Sequence, residues 1–327
     1  MPTKQGLYCQ PGDFHIDPLR QVPRAVITHG HSDHARPGHE HVLATAATLA
    51  LMRTRMGAER AGARQQALAY HEPLAIGDVR VTLVPAGHVL GAAQVVLDYR
   101  GSRAVVSGDY KRQPDPTAAP FEPVRCDLFV TEATFGLPVF RHPPAEDEIK
   151  RLLDSITLFP ERTHVIGAYA LGKCQRVIAM LRQGGYDAPI YLHGAHMPVC
   201  DAYRALGVAL GELRPATVAA KADLRGAVVL APPAAMADRW ARRLEDPVLC
   251  MASGWMRIRQ RAKAGGVELP LIISDHADWD DLLRTIRETQ APEIWVTHGA
   301  EEALIHEAGK MQIRARALSL IGYEDEE

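Results

Sequence analysis

Apolar and polar residues alternate along four stretches of the chain with the period of a half-buried β-strand. These stretches predict strands at residues 22–28, 79–85, 93–99 and 103–107. Gly101 and Ser102, between the last two stretches, predict a hairpin turn. Apolar residues recur at helical spacing over two further stretches, which predicts helices at 45–56 and 145–158. The first half of the chain is therefore predicted to combine sheet with helices.

From residue 163 the pattern changes to a regular succession of apolar run and helical stretch. The pairs are 163–169 with 173–182, 189–192 with 197–206, and 227–230 with 236–244. Such a succession is typical of a small parallel α/β unit. Beyond it the pattern predicts a strand at 270–274, a helix at 278–288, a strand at 293–297 and a helix at 301–313. Prolines near residue 140 and the Gly and Pro residues of 265–270 mark the expected boundaries.

Composition limits the class of protein. The 327 residues, 47% of them hydrophobic, are enough for one or two ordinary cores. No apolar run approaches the roughly 20 residues that span a bilayer, and the first ten residues lack the apolar core of a signal peptide, so we expect no membrane partner. Five scattered cysteines without CxxC spacing are typical of reduced thiols in a cytoplasmic protein. The formal net charge is −2, so attraction to nucleic acid must come from local patches.

The densest candidate chemistry is an HxHxDH motif, Thr28-His29-Gly30-His31-Ser32-Asp33-His34, directly after an apolar run. Strand side chains alternate, so His29 and His31 can point into one site. Asp33 and His34 follow where the chain leaves the strand, and they can face a second site. Imidazole and carboxylate together suit zinc, manganese or iron. A His-rich surface loop is the alternative, but it does not account for this spacing.

The motif resembles that of the metallo-β-lactamase superfamily, and the further motifs of that family follow in order along the chain. They are Phe14-His15-Ile16-Asp17, Gly87-His88, Ser107-Gly108-Asp109 and Thr297-His298-Gly299. The resemblance implies an α/β fold in which two sheets lie between two helical layers, an αββα sandwich. It also implies two divalent metal ions as cofactors, zinc or manganese.

The same resemblance implies a role for each of these residues. His29, His31 and His88 are expected on the first metal. Asp33, His34 and His298 are expected on the second, and Asp109 is shared. Asp17 is expected to hold a ligand or the bridging water, because a metal-bound His needs an outer acceptor. A loop-capping Asp is the alternative for this position.

A long gap separates the shared aspartate from the last histidine, since 298 − 109 = 189. An inserted domain must fill this gap. Val130-Thr131-Glu132-Ala133-Thr134 and Ser274-Asp275-His276-Ala277-Asp278 resemble motifs of the β-CASP nucleases, and 170–176 and 251–256 resemble the first and last parts of their insert. The implied domains are 1–140 and 269–327, the two parts of the metallo-β-lactamase domain, and 141–268, a small α/β β-CASP insert.

The likeness points more narrowly to the bacterial ligase-associated DNA exonucleases, through the short length, Ile16-Asp17-Pro18 and residues 254–259. It implies exonuclease action on DNA in repair, with a DNA ligase and a helicase as partners.

Two metals about 3.5–4 Å apart would acidify a water and neutralise phosphate charge, but would not protonate the leaving oxygen.

His276 is the candidate general acid for that step, with Glu132 keeping it charged and oriented. Glu132 follows an apolar run, where an unpaired carboxylate would be costly. Capping of the following helix is the alternative for His276. With Asp17 and Asp33, these two complete the predicted catalytic residues.

A basic segment is the candidate nucleic-acid contact. Its charged residues, with the serine just before them, are Ser253, Arg257, Arg259, Arg261 and Lys263. A solvated face is the alternative.

Three other functions stay open. An RNA-processing nuclease of the same fold would have the same catalytic residues. A small-molecule thioester or lactone hydrolase would need neither a separate acid nor the long insert. A non-catalytic binding protein would be expected to have lost a ligand, and none is missing.

Overall fold

The computed structural model describes residues 1–237, 240–241 and 244–320. Its strands are β1 (Pro2–Thr3), β2 (Gly6–Cys9), β3 (Phe14–Ile16), β4 (Arg24–Val26), β5 (His41–Ala44), β6 (Arg64–Ala67), β7 (Pro73–Ile76), β8 (Val79–Pro85), β9 (Ala93–Tyr99), β10 (Ser102–Val106), β11 (Leu128–Ala133), β12 (His164–Gly167), β13 (Ile190–Leu192), β14 (Leu213–Pro215), β15 (Val228–Ala231), β16 (Val248–Ala252), β17 (Leu269–Leu271), β18 (Glu293–Gly299) and β19 (Arg314–Ala317). Its α-helices are α1 (Ala46–Met56), α2 (Ala145–Leu158), α3 (Lys173–Gln183), α4 (Met197–Ala205), α5 (Lys221–Leu224), α6 (Arg259–Ala264), α7 (Trp279–Thr289) and α8 (Glu301–Lys310).

The chain forms two compact units. Unit 1 contains 1–114, 118–141 and 276–327, and unit 2 contains 115–117 and 142–275. Residues 269–275 lie in unit 2 because β17 pairs with β16, whereas the sequence analysis assigned them to the later part of the metallo-β-lactamase domain. The predicted functional division into domain and insert stays a prediction.

Unit 1 is built on two sheets. One has the strand order β1-β2-β3-β4-β5-β6 and the other β19-β18-β11-β10-β9-β8-β7. Buried side chains of both sheets, among them Phe14, Val26, Val95 and Val106, form the core between them. On the outer side of the first sheet, Leu49 and Met52 of α1 pack in a second core cluster. Helix α7 contacts β11, and α8 contacts β18 and β19, so this is the predicted αββα arrangement.

Unit 2 is a parallel α/β unit, as its alternating pattern predicts. Its sheet has the order β14-β13-β15-β12-β16-β17, and every pairing in it is parallel. Strands of such a sheet are covered on both faces, which explains their continuous apolar runs. The strand β15, for example, is buried at every residue.

Several predicted elements change in length. The strands 79–85 and 93–99 form at the predicted bounds, but 22–28 shortens to β4 because Thr28 donates its backbone N–H to Asp17 instead of to a strand. The strand predicted at 270–274 shortens to β17, and the helix predicted at 301–313 ends at Lys310. The helix predicted at 236–244 falls partly outside the described residues. Within the described ranges, no helix is both long and apolar enough to cross a membrane.

Candidate metal centre and active site

The histidine motif lies on the loop that follows β4, at one end of the first sheet. His29 is fully buried, and its Nε2 lies 3.1 Å from Nδ1 of His31. Nδ1 of His31 lies in turn 3.0 Å from Nε2 of His88, which follows β8. Three imidazole nitrogens therefore converge on one point. His29 and His31 point into one site as expected, but they do so from a loop, because β4 ends at Val26, and not through the alternation of strand side chains.

Asp109 follows β10 and completes this first donor group. Its Oδ2 lies 3.5 Å from Nε2 of His29 and 3.7 Å from Nε2 of His88. Zinc–nitrogen bonds of about 2.0–2.1 Å place the ligand atoms of a tetrahedron about 3.4 Å apart. The four donor atoms of His29, His31, His88 and Asp109 therefore fit a divalent ion of this size.

Gly108 allows the close approach that brings Asp109 to the histidines. Its φ is +56°, and a Cβ there would lie 2.7 Å from the side chain of Thr28. A larger residue would meet both backbone strain and a clash. The glycine of the Ser107-Gly108-Asp109 motif is thus explained by geometry.

A second donor group shares Asp109. Oδ1 of Asp109 lies 3.4 Å from Nε2 of His34, and the rings of His34 and His298 are 5.1 Å apart. These three residues form the group. Asp33, predicted to belong to it, lies outside it in the described structure: its Oδ2 is 3.9 Å from Nε2 of His34, and its side chain is 65% exposed. The predicted ligand role of Asp33 stays a prediction.

Asp17 lies behind the second group. Its two carboxylate oxygens accept hydrogen bonds from the backbone N–H of Thr28 at 2.8 Å and from the Thr28 hydroxyl at 2.6 Å. Its Oδ2 also lies 2.7 Å from Nδ1 of His34. With Nδ1 held by Asp17, the Nε2 of His34 is the nitrogen that faces Asp109. This is the geometry expected of an outer acceptor that fixes the tautomer of a ligand.

The electrostatics of the centre follow from burial and close charges. Burial lowers the pKa of His29 well below its usual value, and the neighbouring histidines add to this effect. Burial also opposes charge on His34, but Asp109 and Asp17 together raise its pKa well above the usual value. Burial opposes charge on Asp109 too, yet His34 and His276 hold its pKa well below the usual range. Asp109 is therefore anionic, as a shared ligand must be.

Glu132 and His276 form a close pair beside the first group. Glu132, on β11, is 1% exposed, and its Oε2 lies 2.8 Å from Nδ1 of His276. Its Oε1 accepts the backbone N–H of Tyr110 at 2.7 Å, which fixes the carboxylate. The ring of His276 is 4.8 Å from that of His88. The alternative role for His276 falls away, because Asp278 caps α7 by accepting the N–H of Asp281.

Sequence reasoning missed two cations that support the centre, a buried lysine and a half-buried arginine. Nζ of Lys111, which is 1% exposed, donates to the carbonyl of His88 at 3.0 Å. The guanidinium of Arg55 donates to the carbonyl of Gly30 within the histidine motif, and its burial lowers its pKa. Lys111 stands two residues after Asp109, but no motif of the sequence marks it as a supporting residue. Arg55 is one of several arginines on or just after the predicted helix 45–56, and helical spacing does not distinguish it from Arg53 or Arg60.

The basic segment lies in unit 2. Arg257 ends a short 3-10 turn, and Arg259, Arg261 and Lys263 belong to α6. All four side chains are exposed. Ser253 caps the turn by accepting the N–H of Trp255 at 3.3 Å, which gives it a structural role. The predicted contacts of these five residues with nucleic acid stay a prediction.

Comparison with known proteins identifies the family of the chain. Residues 3–149 match the family described as "Beta-lactamase superfamily domain". An uncharacterized protein in the lig 3' region of Acidianus ambivalens is 33% identical over 140 residues, which are 41% of this chain and 94% of that protein. The chain belongs to the metallo-β-lactamase superfamily. The matched range of this metallo-β-lactamase fold contains both donor groups except His298, and it contains Glu132 but not His276.

Several longer proteins are also similar to this chain, some over most of its length and others over about a third of it. A "Probable DNA ligase" of Opitutus terrae is 29% identical over 90% of the chain, and "Endoribonuclease YSH1" of Gibberella zeae is 33% identical over 36% of it. The chain spans 28% of the first relative and 14% of the second. The fold also matches a solved structure from Enterococcus faecalis V583, of a protein of unknown function, with a TM-score of 0.62 at 13% identity. That match covers 90% of this chain and 78% of the other.

Proposed function

We propose that the protein is a metal-dependent nuclease of the β-CASP type that hydrolyses phosphodiester bonds of DNA from strand ends. The observation that carries this proposal is the Glu132–His276 pair beside two donor groups that share Asp109. A hydrolase acting on a thioester expels a thiolate, which is a better leaving group, and does not need such an acid. A strand of DNA leaves as a poor alkoxide, which does need a proton.

The metal ions and the side chains that hold them would have separate roles in phosphodiester hydrolysis. Two bound divalent ions, zinc or manganese, would supply an acidified water and neutralise charge on the phosphate oxygens. His29, His31, His88 and Asp109 would hold one ion, and His34, His298 and Asp109 the other, with Asp33 near the second.

The chain itself supplies the proton for the leaving group. Because Nδ1 of His276 faces Glu132, the proton for the leaving oxygen would come from Nε2. The Glu132 carboxylate favours the charged imidazole and holds the ring in place. Asp17 orients His34 in the same way.

The DNA reading is supported by the relatives named as a probable DNA ligase and as a protein in a lig 3' region. We infer a role in DNA repair, with a DNA ligase and a helicase as partners. Five free cysteines support a reducing compartment, so we place the protein in the cytoplasm.

An RNA-processing nuclease is the second candidate. It is supported by the relatives named endoribonuclease, and by "Cleavage and polyadenylation specificity factor subunit 3" of Dictyostelium discoideum, 32% identical over 40% of the chain. The donor groups and the Glu132–His276 pair would serve both substrates equally.

One experiment separates these readings. End-labelled linear single-stranded DNA and RNA of the same sequence, and a circular single-stranded DNA, are incubated with the protein and added manganese or zinc. Release of labelled mononucleotide from linear DNA, with the circle and the RNA intact, is expected. Faster cleavage of RNA would select the second candidate, and cleavage of the circle would contradict action from ends. Turnover of none of the three would contradict the nuclease.

A further inference from the structure

The carboxyl edge of the unit 2 sheet gathers the loops that follow its six strands. All strand pairings in the sheet are parallel, so the loops that follow the strands lie together, and the loops that precede them lie at the opposite edge. The carboxyl edge of an open parallel sheet is where such folds place ligands.

The two edges differ in charge. The loops before the strands carry the carboxylates Glu161, Asp187, Glu212, Glu245, Asp246 and Glu268. Five of the six loops after the strands, described over residues 168–172, 193–196, 216–220, 232–237 and 253–258, contain no Asp or Glu. The sixth, 272–275, contains one carboxylate, Asp275, which is buried and pairs with Lys173. The loop 253–258 leads into the exposed basic residues of α6. Several of the carboxylates before the strands are ion-paired, among them Glu161 with Arg225 and Glu268 with Arg162, but they outnumber the single buried Asp275 at the other edge. The carboxyl edge therefore repels a phosphate chain less than the opposite edge does.

The same edge displays aromatic rings. Tyr169, in the loop after β12, is 61% exposed, although a tyrosine normally buries most of its ring. Gly167 of β12 is paired with Met251 of the neighbouring parallel strand β16. Tyr169 and Ser253 each lie two residues further along, so they start from equivalent positions at the ends of adjacent strands. The loop after β16 continues to Trp255, whose ring carries the guanidinium of Arg261 at 4.1 Å. Arg261 is also exposed, so its planar guanidinium is accessible to a further stacking partner.

We propose that this edge of unit 2 binds single-stranded nucleic acid, with bases stacking on Tyr169 and on the Trp255–Arg261 pair and with Arg257, Arg259 and Lys263 contacting phosphates. The inference rests on the proposed function and names its substrate as a single strand. Bases of a duplex are stacked on each other, whereas the bases of a single strand can stack on aromatic rings and guanidinium planes.

The test measures binding without cleavage. Full-length protein carrying Asp109→Asn is titrated into fluorescently labelled oligo(dT), and anisotropy is recorded at several salt concentrations. Tyr169→Ala is expected to weaken binding about 5- to 100-fold, whereas Tyr169→Phe, which keeps the ring, should bind as the parent does. Phe159→Ala is the matched control, an exposed aromatic in the loop before β12 at the opposite edge.

Two further variants separate stacking from charge. Arg261→Lys keeps the charge but loses the plane, so it should weaken binding with an unchanged salt slope. Arg259→Gln should lower the salt slope by about 0.7. A duplex of the same length should lose little affinity in Tyr169→Ala. Equal losses for single strand and duplex, or equal losses in Tyr169→Phe and Tyr169→Ala, would overturn the stacking platform.

The proposal and the nuclease can fail separately. If the wild type cleaves none of the nucleic acids but binding still depends on Tyr169, the nuclease is wrong and the platform stands. If the wild type cleaves DNA but Tyr169→Ala binds oligo(dT) as tightly as the parent, the platform is wrong and the nuclease stands.

Discussion

Asp109 shows at the scale of one residue how the centre is assembled. Its Oδ2 faces His29 and His88, and its Oδ1 faces His34, so one carboxylate serves both donor groups. Sequence motifs suggested the ligand positions because strand ends and glycines fix where such side chains point. They could not show that Asp33 is exposed, or that Lys111 supports His88, since both follow from how distant segments pack.

The shared ligand gives the first prediction. Asp109→Ala and Asp109→Asn should each lower DNA cleavage by more than about 100-fold and lower the bound metal, because both groups lose an anionic donor. Metal content by atomic spectroscopy and digestion of labelled DNA check this. Asp78→Asn, in the exposed turn before β8, is the control and should change neither. Near-normal metal content in Asp109→Ala would show that Asp109 is not a metal ligand.

The proposed general acid, His276, gives the second prediction. His276→Ala should keep both metals and lose about 10²–10⁴-fold in DNA cleavage, but far less on a nitrophenyl phosphodiester, whose leaving group needs little protonation. Glu132→Gln should reproduce part of the defect. The double variant should be little worse than His276→Ala, because the two act as one unit. Equal losses on DNA and on the activated ester would leave His276 a structural or binding residue.

At the scale of elements, helix α3 of unit 2 carries two cationic side chains whose burial the sequence pattern did not predict. Arg176 is fully buried, with Nε 3.6 Å from Oδ2 of Asp115 and Nη1 3.7 Å from Oδ1 of Asp275. Lys173 approaches the same Asp275 oxygen at 3.0 Å. Helical periodicity predicted α3 almost to its bounds, but it cannot tell which charged positions meet buried carboxylates from other segments.

Breaking this network is the third prediction. Arg176→Met should lower the free energy of unfolding by roughly 3–5 kcal/mol, because it leaves buried carboxylates without their partner. Urea denaturation followed by circular dichroism measures the loss. Arg204→Met is the matched control, since its ion pair with Asp201 is exposed and should contribute at most about 1 kcal/mol. Equal effects of the two variants would show that the buried network adds nothing.

Helix α7 gives the fourth prediction, on pH. Burial, with a further contribution from Asp278, raises the pKa of Asp281 in the first turn of α7 to about 6. A pKa raised on folding favours the folded state at low pH, and that contribution is lost as pH rises from about 4 to about 6. Asp281→Asn cannot ionise, so its stability relative to wild type should grow over that interval by about 1–3 kcal/mol and then level off.

Urea midpoints of both proteins between pH 4 and pH 8 test this dependence on Asp281. Asp280→Asn, one residue earlier and with its side chain 60% exposed, serves as the control and should show no such step. A constant difference between Asp281→Asn and wild type over the whole range would contradict the raised pKa.

At the scale of the whole molecule, the sandwich of unit 1 joins segments from both parts of the chain. Strand β18 pairs with β11 across the whole of unit 2 in sequence. The long gap between Asp109 and His298 predicted that something is inserted there. The sequence could not give the register of β18 against β11, or the bulge in it at Glu132, because these depend on pairing between remote segments.

Metal removal gives the fifth prediction. Chelation should lower the melting temperature of the wild type by several degrees, since an ion present at a hundredfold excess over its Kd stabilises the folded state by about 2.7 kcal/mol. Manganese or zinc should restore it. Asp109→Ala should lose most of this metal-dependent shift. Equal melting temperatures with and without metal, at full loss of bound ions, would show that the ions do not stabilise the fold.

The sharing of unit 1 between both ends of the chain also has a consequence for biosynthesis. The first donor group is complete once residue 109 has left the ribosome, but the second needs His298, another 189 residues later. At about 5–20 residues per second, that interval lasts about 10–40 s. Throughout it a nascent chain has the residues of the first donor group but lacks His298, and for most of it, since 276 − 109 = 167, it also lacks His276. Translation itself therefore delays completion of the second donor group until β18 is available.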